Sequence, residues 1–291
     1  MLLKYWPQKT NLSFMNLRLI GAVVSAVLIA SSIFFLAMRG LNFGVDFAGG
    51  TVMELEQTDT ITVEGARQAM PLNADVNSAV GTDARSIVVV KYGEADASIL
   101  GEEFQALSAT DQAERATGAT NELVTETLKE ALGITDEQIL RNDSVGPKVS
   151  QELFRDGITA LIAALALMLV YIWFRFEWQF SVGAVAALAH DVIITLGVFA
   201  FLQMEFNLTT IAALLTIIGY SMNDTVVVFD RVREEKRKYK KMADKEVIDL
   251  ALNGTLSRTL LTSGTTLLAL MAIFFLGGPV LRGMCFALIW G

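Results

Sequence analysis

Cysteine and histidine are nearly missing: among 291 residues there is one of each, Cys285 and His190. A single cysteine excludes an internal disulfide, and its setting in an apolar stretch reads as a small packing residue. No cluster of metal ligands, no phosphate-cradling loop and no nucleophile triad stands out, so the sequence offers no support for an enzyme. Charge is also scarce, at 19% Asp, Glu, Lys and Arg, and it is unevenly spread. Uncharged runs cover 19–38, 157–174, 178–189, 192–204, 206–223 and 259–281. An excess of basic residues is lacking too, with a net charge of −8, which argues against a nucleic-acid binder.

What is present is apolar. The chain is 53% hydrophobic with a mean hydropathy of +0.48, too apolar for an ordinary soluble protein of this length. Several of the uncharged runs reach the roughly 20 residues needed to cross a bilayer. The run 178–204 reads as one span interrupted by Asp191, and GMCFALIWG at 283–291 opens a further helix that stops short, so five complete spans and an incomplete sixth are expected. The first run follows Lys4, Lys9 and Arg18 as a signal peptide would. Its apolar part is too long for one and no A-x-A site follows, so it reads as a retained anchor.

Positive charge sets the orientation. Three basic residues precede the first span, and 230–257 carries eight basic residues against six acidic ones, so both belong in the cytoplasm. The expected order is a cytoplasmic N-terminus at 1–18, a first span at 19–38, an external domain at 39–156, and five further spans at 157–291 with a cytoplasmic loop at 230–257. The external segment is acidic, with nineteen Asp and Glu against eight Lys and Arg between Arg39 and Lys148, a net of −11. Its pattern reads as strand 51–57, helix 62–70, strand 74–81, strand 86–92, helix 119–132 and strand 138–144. That order is the split βαβ, ferredoxin-like pattern. The stretch 93–118 has few large apolar residues and reads as an exposed loop or mobile insertion.

Charges inside the spans are the candidate functional residues. Asp224 follows eighteen uncharged residues from Phe206 and precedes Thr-Val-Val-Val-Phe, so it lies within the apolar layer or at its end. An intramembrane carboxylate costs roughly 2.5–3.5 kcal/mol on insertion scales, which makes it a functional hypothesis. Thr216, Tyr220 and Asp224 are spaced by fours on one helical stripe, as are Asp191 and its small neighbours, while Arg258, Thr262 and Thr265 line another. Lipid solvates none of these faces, so they are expected to converge in a bundle interior. For Arg258 the competing reading is an interfacial arginine snorkelling to headgroups. His190 adjoins Asp191 but points about 100° away on a helix, which weakens a relay role. Gly40, Gly44, Gly49 and Gly50 form either a hinge between anchor and domain or a tightly packed strand edge.

Five stretches then carry a resemblance: GLNFGVDFAGGT (40–51), SVGPKVSQELFRDGI (144–158), ALAHDVIIT (187–195), GYSMNDTVVVFDRVRE (219–234) and SRTLLTSGTTLLAL (257–270). In order, and through nearly the whole chain, they resemble the SecF family, whose members work with SecD beside the bacterial Sec translocon. The resemblance implies a polytopic α-helical membrane protein, the six-span half of an RND-type transporter, with an α+β ferredoxin-like periplasmic domain. It implies a non-enzymatic subunit of the bacterial inner membrane that uses the proton gradient in late steps of polypeptide export. Protons are the implied coupling ion, with no cofactor. The implied partners are SecD, the SecYEG translocon, possible association with YajC and YidC, unfolded secreted polypeptides and membrane lipid. By similarity, Asp224 and Arg258 match the family's intramembrane acid and base, and Asp191 the acid of its HD motif. Two rivals differ in class. An RND-type small-molecule exporter would use similar charges but wants a larger external cleft. An intramembrane aspartyl protease would present Tyr-Asp and Gly-x-Gly-Asp, where this chain has HD and ND.

Overall fold

The computed structural model describes residues 10–80, 86–176 and 178–291. Lys4, Lys9 and the last residue of the expected strand 74–81 lie outside the described residues. Among the described residues five helices are long and apolar enough to cross a membrane: α1 (Arg18–Arg39), α6 (Pro147–Arg175), α7 (Trp178–Leu202), α8 (Leu208–Lys238) and α9 (Asp244–Leu276). A shorter apolar helix, α10 (Pro279–Trp290), packs against α8 and α9. Each expected run is therefore mostly a helix: α1 and α6 extend past both ends of their runs, α8 continues past the end of its run and α9 starts before its own, whereas α7 stops at Leu202, two residues short. A proline at the first position of α6, where its missing N–H costs nothing, starts that helix ten residues before the uncharged run.

An α+β domain is inserted between α1 and α6. Its strands β2 (Gly50–Glu56), β3 (Ala74–Val80), β4 (Ser86–Tyr92) and β5 (Ile139–Val145) form an antiparallel sheet in the order β3-β4-β2-β5. Counted within the domain this is the 4-1-3-2 order of a ferredoxin-like sheet, as the pattern implies. Helices α3 (Val63–Ala69) and α5 (Ala109–Leu132) cover it around Met53, Leu55, Val76, Val88, Val90, Tyr92, Val124 and Leu128. Period-two alternation puts Met53 and Leu55 on the helix side of β2.

The segment 93–118 differs from its sequence reading. After a short helix, α4 (Glu102–Gln105), the chain enters α5 at Ala109, ten residues before the expected start. Ser108 caps it by accepting from the Asp111 N–H, and Thr120 and Ala116 are buried, so small residues rather than large ones make the contact. The expected cytoplasmic loop 230–257 is likewise not a loop. Helices α8 and α9 run on as a hairpin and leave 239–243 as the turn, with Arg231 paired to Glu234 and Glu235 at helical spacing.

Two peripheral contacts order the bundle. Residues 10–17 lie along α9: Leu12 exchanges both backbone hydrogen bonds with the Asn253 amide, at 2.9 and 2.8 Å, and the Met15 N–H donates to Asp249. At the opposite end, β1 (Asn42–Phe43) pairs in parallel with β6 (Glu205–Phe206), between α7 and α8. The N-terminal segment and the α8–α9 hairpin thus share one side, and the α+β domain sits on the other.

Candidate functional site

Two groups of polar residues occupy the helices, and they are differently placed. The first is interior. On α7, Asp191 accepts from the Ser221 hydroxyl of α8 at 2.7 Å through Oδ2, while Oδ1 lies 3.0 Å from His190 Nδ1. The other imidazole nitrogen, Nε2, is 3.2 Å from the Ser25 hydroxyl of α1. With Nδ1–H donating to the carboxylate, Nε2 accepts from Ser25, and one hydrogen-bonded chain links α1, α7 and α8. The side chain of Asp191 is 23% exposed. His190 therefore does not point away from Asp191 as helical geometry alone implies: its ring turns back along the helix because α1 offers a partner on the far side.

Sequence reasoning missed Ser25 and Ser221. The signal for Ser25 was its place in α1. Ser25, Ile29, Ser32 and Leu36 are among its sheltered positions, spaced 4, 3 and 4 on one stripe, with Ser31 and Phe35 beside them. Ser32 packs onto Gly197 of α7, where any Cβ would overlap it, so small residues let the two backbones approach.

The second group lies on α8 and α9 and faces outward. Thr216 and Tyr220 are exposed, Asp224 is half-buried, and Arg258 and Thr265 are exposed. The expected convergence in the interior of this chain is not found. Its cause lies in α9, whose most apolar window has no buried residue, so α9 is a rim helix that presents most of its surface outward. Hydroxyls of Thr216, Thr262 and Thr265 bond to carbonyls of their own helices. Tyr220 reaches across to Thr266 at 2.7 Å.

Among the described residues, neither Asp224 nor Arg258 has a hydrogen-bond or ion-pair partner through its side chain, so the expected pair is not in contact here. The register explains it. Arg231 beside Gly254, and Tyr220 beside Thr266, bring Thr262 level with Asp224. Arg258 then lies one turn, roughly 5 Å, nearer the hairpin.

The glycine-rich junction is built tightly. Gly50 has φ +108°, closed to ordinary side chains, and a Cβ there would run into the carbonyl oxygen of Tyr92. Gly40 also has positive φ but open space around it, while Gly44 lies under Glu205 and Gly49 against Pro147 and Ser150. Close packing thus holds at Gly44 and Gly50, Gly49 has room for ordinary contacts at a positive φ of +77°, and Gly40 stands clear. A short helix here, α2 (Val45–Ala48), carries Asp46, which accepts from the Leu208 N–H at 2.9 Å. A carboxylate on the first turn of α8 suits the positive end of that helix. Lys91 of β4 pairs with Glu205 of β6 and ties the domain to the same corner. Neither contact was foreseen; Asp46, the one charge within the glycine-rich motif, was the available clue.

Two family models match. Residues 124–291 match the protein export membrane protein SecD/SecF, C-terminal family, and residues 34–56 match the SecD/SecF GG motif. The protein translocase subunit SecF of Cereibacter sphaeroides is 43% identical, over 99% of this chain and 86% of its own. That of Haemophilus influenzae is 39% identical, over 96% of this chain and 79% of its own. Among solved structures, SecDF from Thermus thermophilus superposes with a TM-score of 0.78 at 32% identity, covering 98% of this chain. This chain spans 36% of that longer polypeptide. With the helices, the ferredoxin-like insertion and the glycine-rich corner in the same order as these relatives, the chain belongs to the SecD/SecF family of protein-export membrane proteins, as a SecF-type translocase subunit.

Proposed function

We propose that this subunit acts with SecD in the bacterial inner membrane, beside the SecYEG channel, and that proton movement through its helices assists late steps of polypeptide export. The observation that carries the reading is Asp224: a half-buried carboxylate in α8, with no counter-ion among the described residues, on a face left open by this chain alone. An intramembrane charge without a partner among the described residues of its own chain calls for one from another, and SecD is the natural source. Protonation removes the charge, and the neutral side chain favours a different packing of α8 against its neighbours. One proton crossing 100 mV makes about 2.3 kcal/mol available to bias such a change. Arg258, one turn away, serves as the mobile partner that meets Asp224 in one of the two states. Asp191 and His190 form a second polar station, through which the change reaches α1 and the junction to the α+β domain.

The test is export into inverted membrane vesicles carrying the subunit together with SecD. Asp224→Asn and Arg258→Leu are each expected to abolish stimulation by the proton gradient while leaving SecD association intact. Glu246→Gln, an exposed change in the hairpin, is expected to leave stimulation unchanged. Full gradient-dependent export by Asp224→Asn would make that carboxylate structural and move the proton path to Asp191 or to SecD.

A further inference from the structure

At the hairpin side of the bundle, α6 ends in a turn that α7 and α8 enclose. Phe176 closes α6, with its N–H bonded to the Ile172 carbonyl at 2.7 Å, and its ring is buried against Phe180 and Phe229. Two guanidinium groups stand over that one ring, Arg175 at 4.9 Å and Arg233 at 5.3 Å from its centre. Stacking on a fixed aromatic ring holds both cations in place without consuming their hydrogen-bond donors.

The local carboxylates leave these cations under-compensated. Arg175 meets Asp230 only through Nη2, at 3.0 and 2.9 Å from its two oxygens. Arg233 approaches the same carboxylate no closer than 4.0 Å. One carboxylate therefore serves two arginines. The other described acid of this cleft, Glu234, is engaged by Arg231 at 2.7 Å, and Glu177, between Phe176 and Trp178 in the sequence, lies outside the described residues. Arg237 and Lys238 complete the lining, and neither has an ion-pair partner among the described residues. Among the described residues four cations thus face two carboxylates; Arg233 Nη1 donates to the Arg175 carbonyl at 3.4 Å, and other N–H donors stay unoccupied on both stacked arginines.

What lies beside the cleft indicates the occupant. Trp173 and Phe174, in the last turn of α6, and Trp178, the first residue of α7, are 65%, 87% and 65% exposed. Exposed indole and phenyl rings at the end of a membrane-crossing helix mark the headgroup level. A ligand held here meets excess positive charge on one side and apolar rings on the other. We infer that the cleft between the end of α6 and α8 is a binding site for an anionic phospholipid, whose phosphodiester sits on Arg175 and Arg233 and whose acyl chains lie against Trp173, Phe174 and Trp178. Planar guanidinium donors suit a phosphate oxygen pair. Basic side chains near the bilayer surface each favour anionic lipid by about fivefold, and clustering in a cleft between helices localises that preference. This site is separate from Asp224, and the inference needs only that the chain crosses the membrane.

The experiment uses the full chain with its partner subunit in lipid nanodiscs and reads tryptophan fluorescence. Phosphatidylglycerol or phosphatidylcholine with brominated acyl chains is supplied at equal mole fraction. Brominated phosphatidylglycerol is expected to quench the more strongly. Arg175→Gln with Arg233→Gln should bring the two lipids to equal quenching, whereas Lys240→Gln with Lys241→Gln, at the hairpin turn, should leave the preference intact. Arg175→Lys with Arg233→Lys guards against misfolding: it keeps the charge but loses the planar stacked donors, and the preference should drop by more than half. Equal quenching in the unaltered protein would overturn the site. So would a preference that survives the glutamine pair, or one lost equally in the Lys240 and Lys241 variant, which would indicate diffuse charge. Replacing chloride by inorganic phosphate at matched ionic strength should not change the result, and loss of preference there would assign the arginines to free phosphate and overturn the lipid.

Discussion

Tyr92 carries the clearest single-residue titration outside the membrane helices. It is buried in the α+β core with its hydroxyl donating to Asn121 at 2.8 Å. Burial pushes its phenol up to about 12, against a hydrogen bond with Thr51 that pulls it down. Below the unfolded value near 10 the ring is neutral in both states, so the stability is fully present. As pH rises toward 12 the unfolded chain ionises first, and the domain should lose up to roughly 3 kcal/mol across that window. Residues 48–146 hold a complete core and only this one tyrosine, so the fragment should fold alone and show phenolate absorbance appearing near pH 12 in one step. Titration near pH 10 with no loss of structure would mean the ring is not buried in solution. At this same scale the sequence indicated Asp191, Asp224 and Arg258 because charge in an apolar run is visible at once. It was silent on Ser25 and Ser221, since a serine in a membrane helix satisfies itself on its own backbone in most positions. Only a neighbour across the interface, here His190 or Asp191, gives such a residue a role.

Among elements, the helical hairpin shows why dense charge misled. Eight basic and six acidic residues in 230–257 read as a solvated loop, yet Arg231, Glu234 and Glu235 are spaced as neighbours on a helix face. Glu235 is only 2% exposed, and the turn-spaced bond to Arg231 at 2.6 Å is what compensates its charge. Arg231→Ala, which strands that carboxylate, should destabilise the detergent-solubilised protein by up to about 3 kcal/mol. The pair Arg231→Met with Glu235→Leu should cost less than the single change, because it removes the buried charge along with its partner. Thermal unfolding of the two variants decides it: a double variant weaker than the single one would show that Glu235 has another anchor. The early start of α5 was legible in a different way. Large apolar residues are few before 119, so periodicity gave nothing, but Ser108 and Asp111 are spaced as a capping pair that announces a helix. The four strands were plain because their alternation is carried by Val, Ile and Met, and each was placed within a residue or two.

For the molecule as a whole, the charge asymmetry and the structure agree on which segments share a side. Residues 10–17 dock on α9 near the hairpin, while β1 and β6 join at the opposite end. Which side is cytoplasmic is decided by thiol labelling. Cys285 is buried and is the only native cysteine, so added cysteines report cleanly. Ser98→Cys should react with an impermeant reagent in intact spheroplasts, and Lys240→Cys only after lysis; both sites are exposed. The reverse pattern would invert the orientation. The partnership of α1 with α7 also bears on how the chain is made. Helix α1 is almost wholly exposed apart from one stripe, and what covers that stripe, including Ser32 on Gly197, is encoded about 165 residues later. At 5–20 residues per second, α1 would wait roughly ten to thirty seconds in lipid before α7 exists. Through that interval its sheltered serines have no mate, and the strand pairing of β1 cannot close. Biogenesis of this subunit therefore contains an obligatory delay, in which an insertase or the lipid itself must keep the first helix from finding the wrong neighbour.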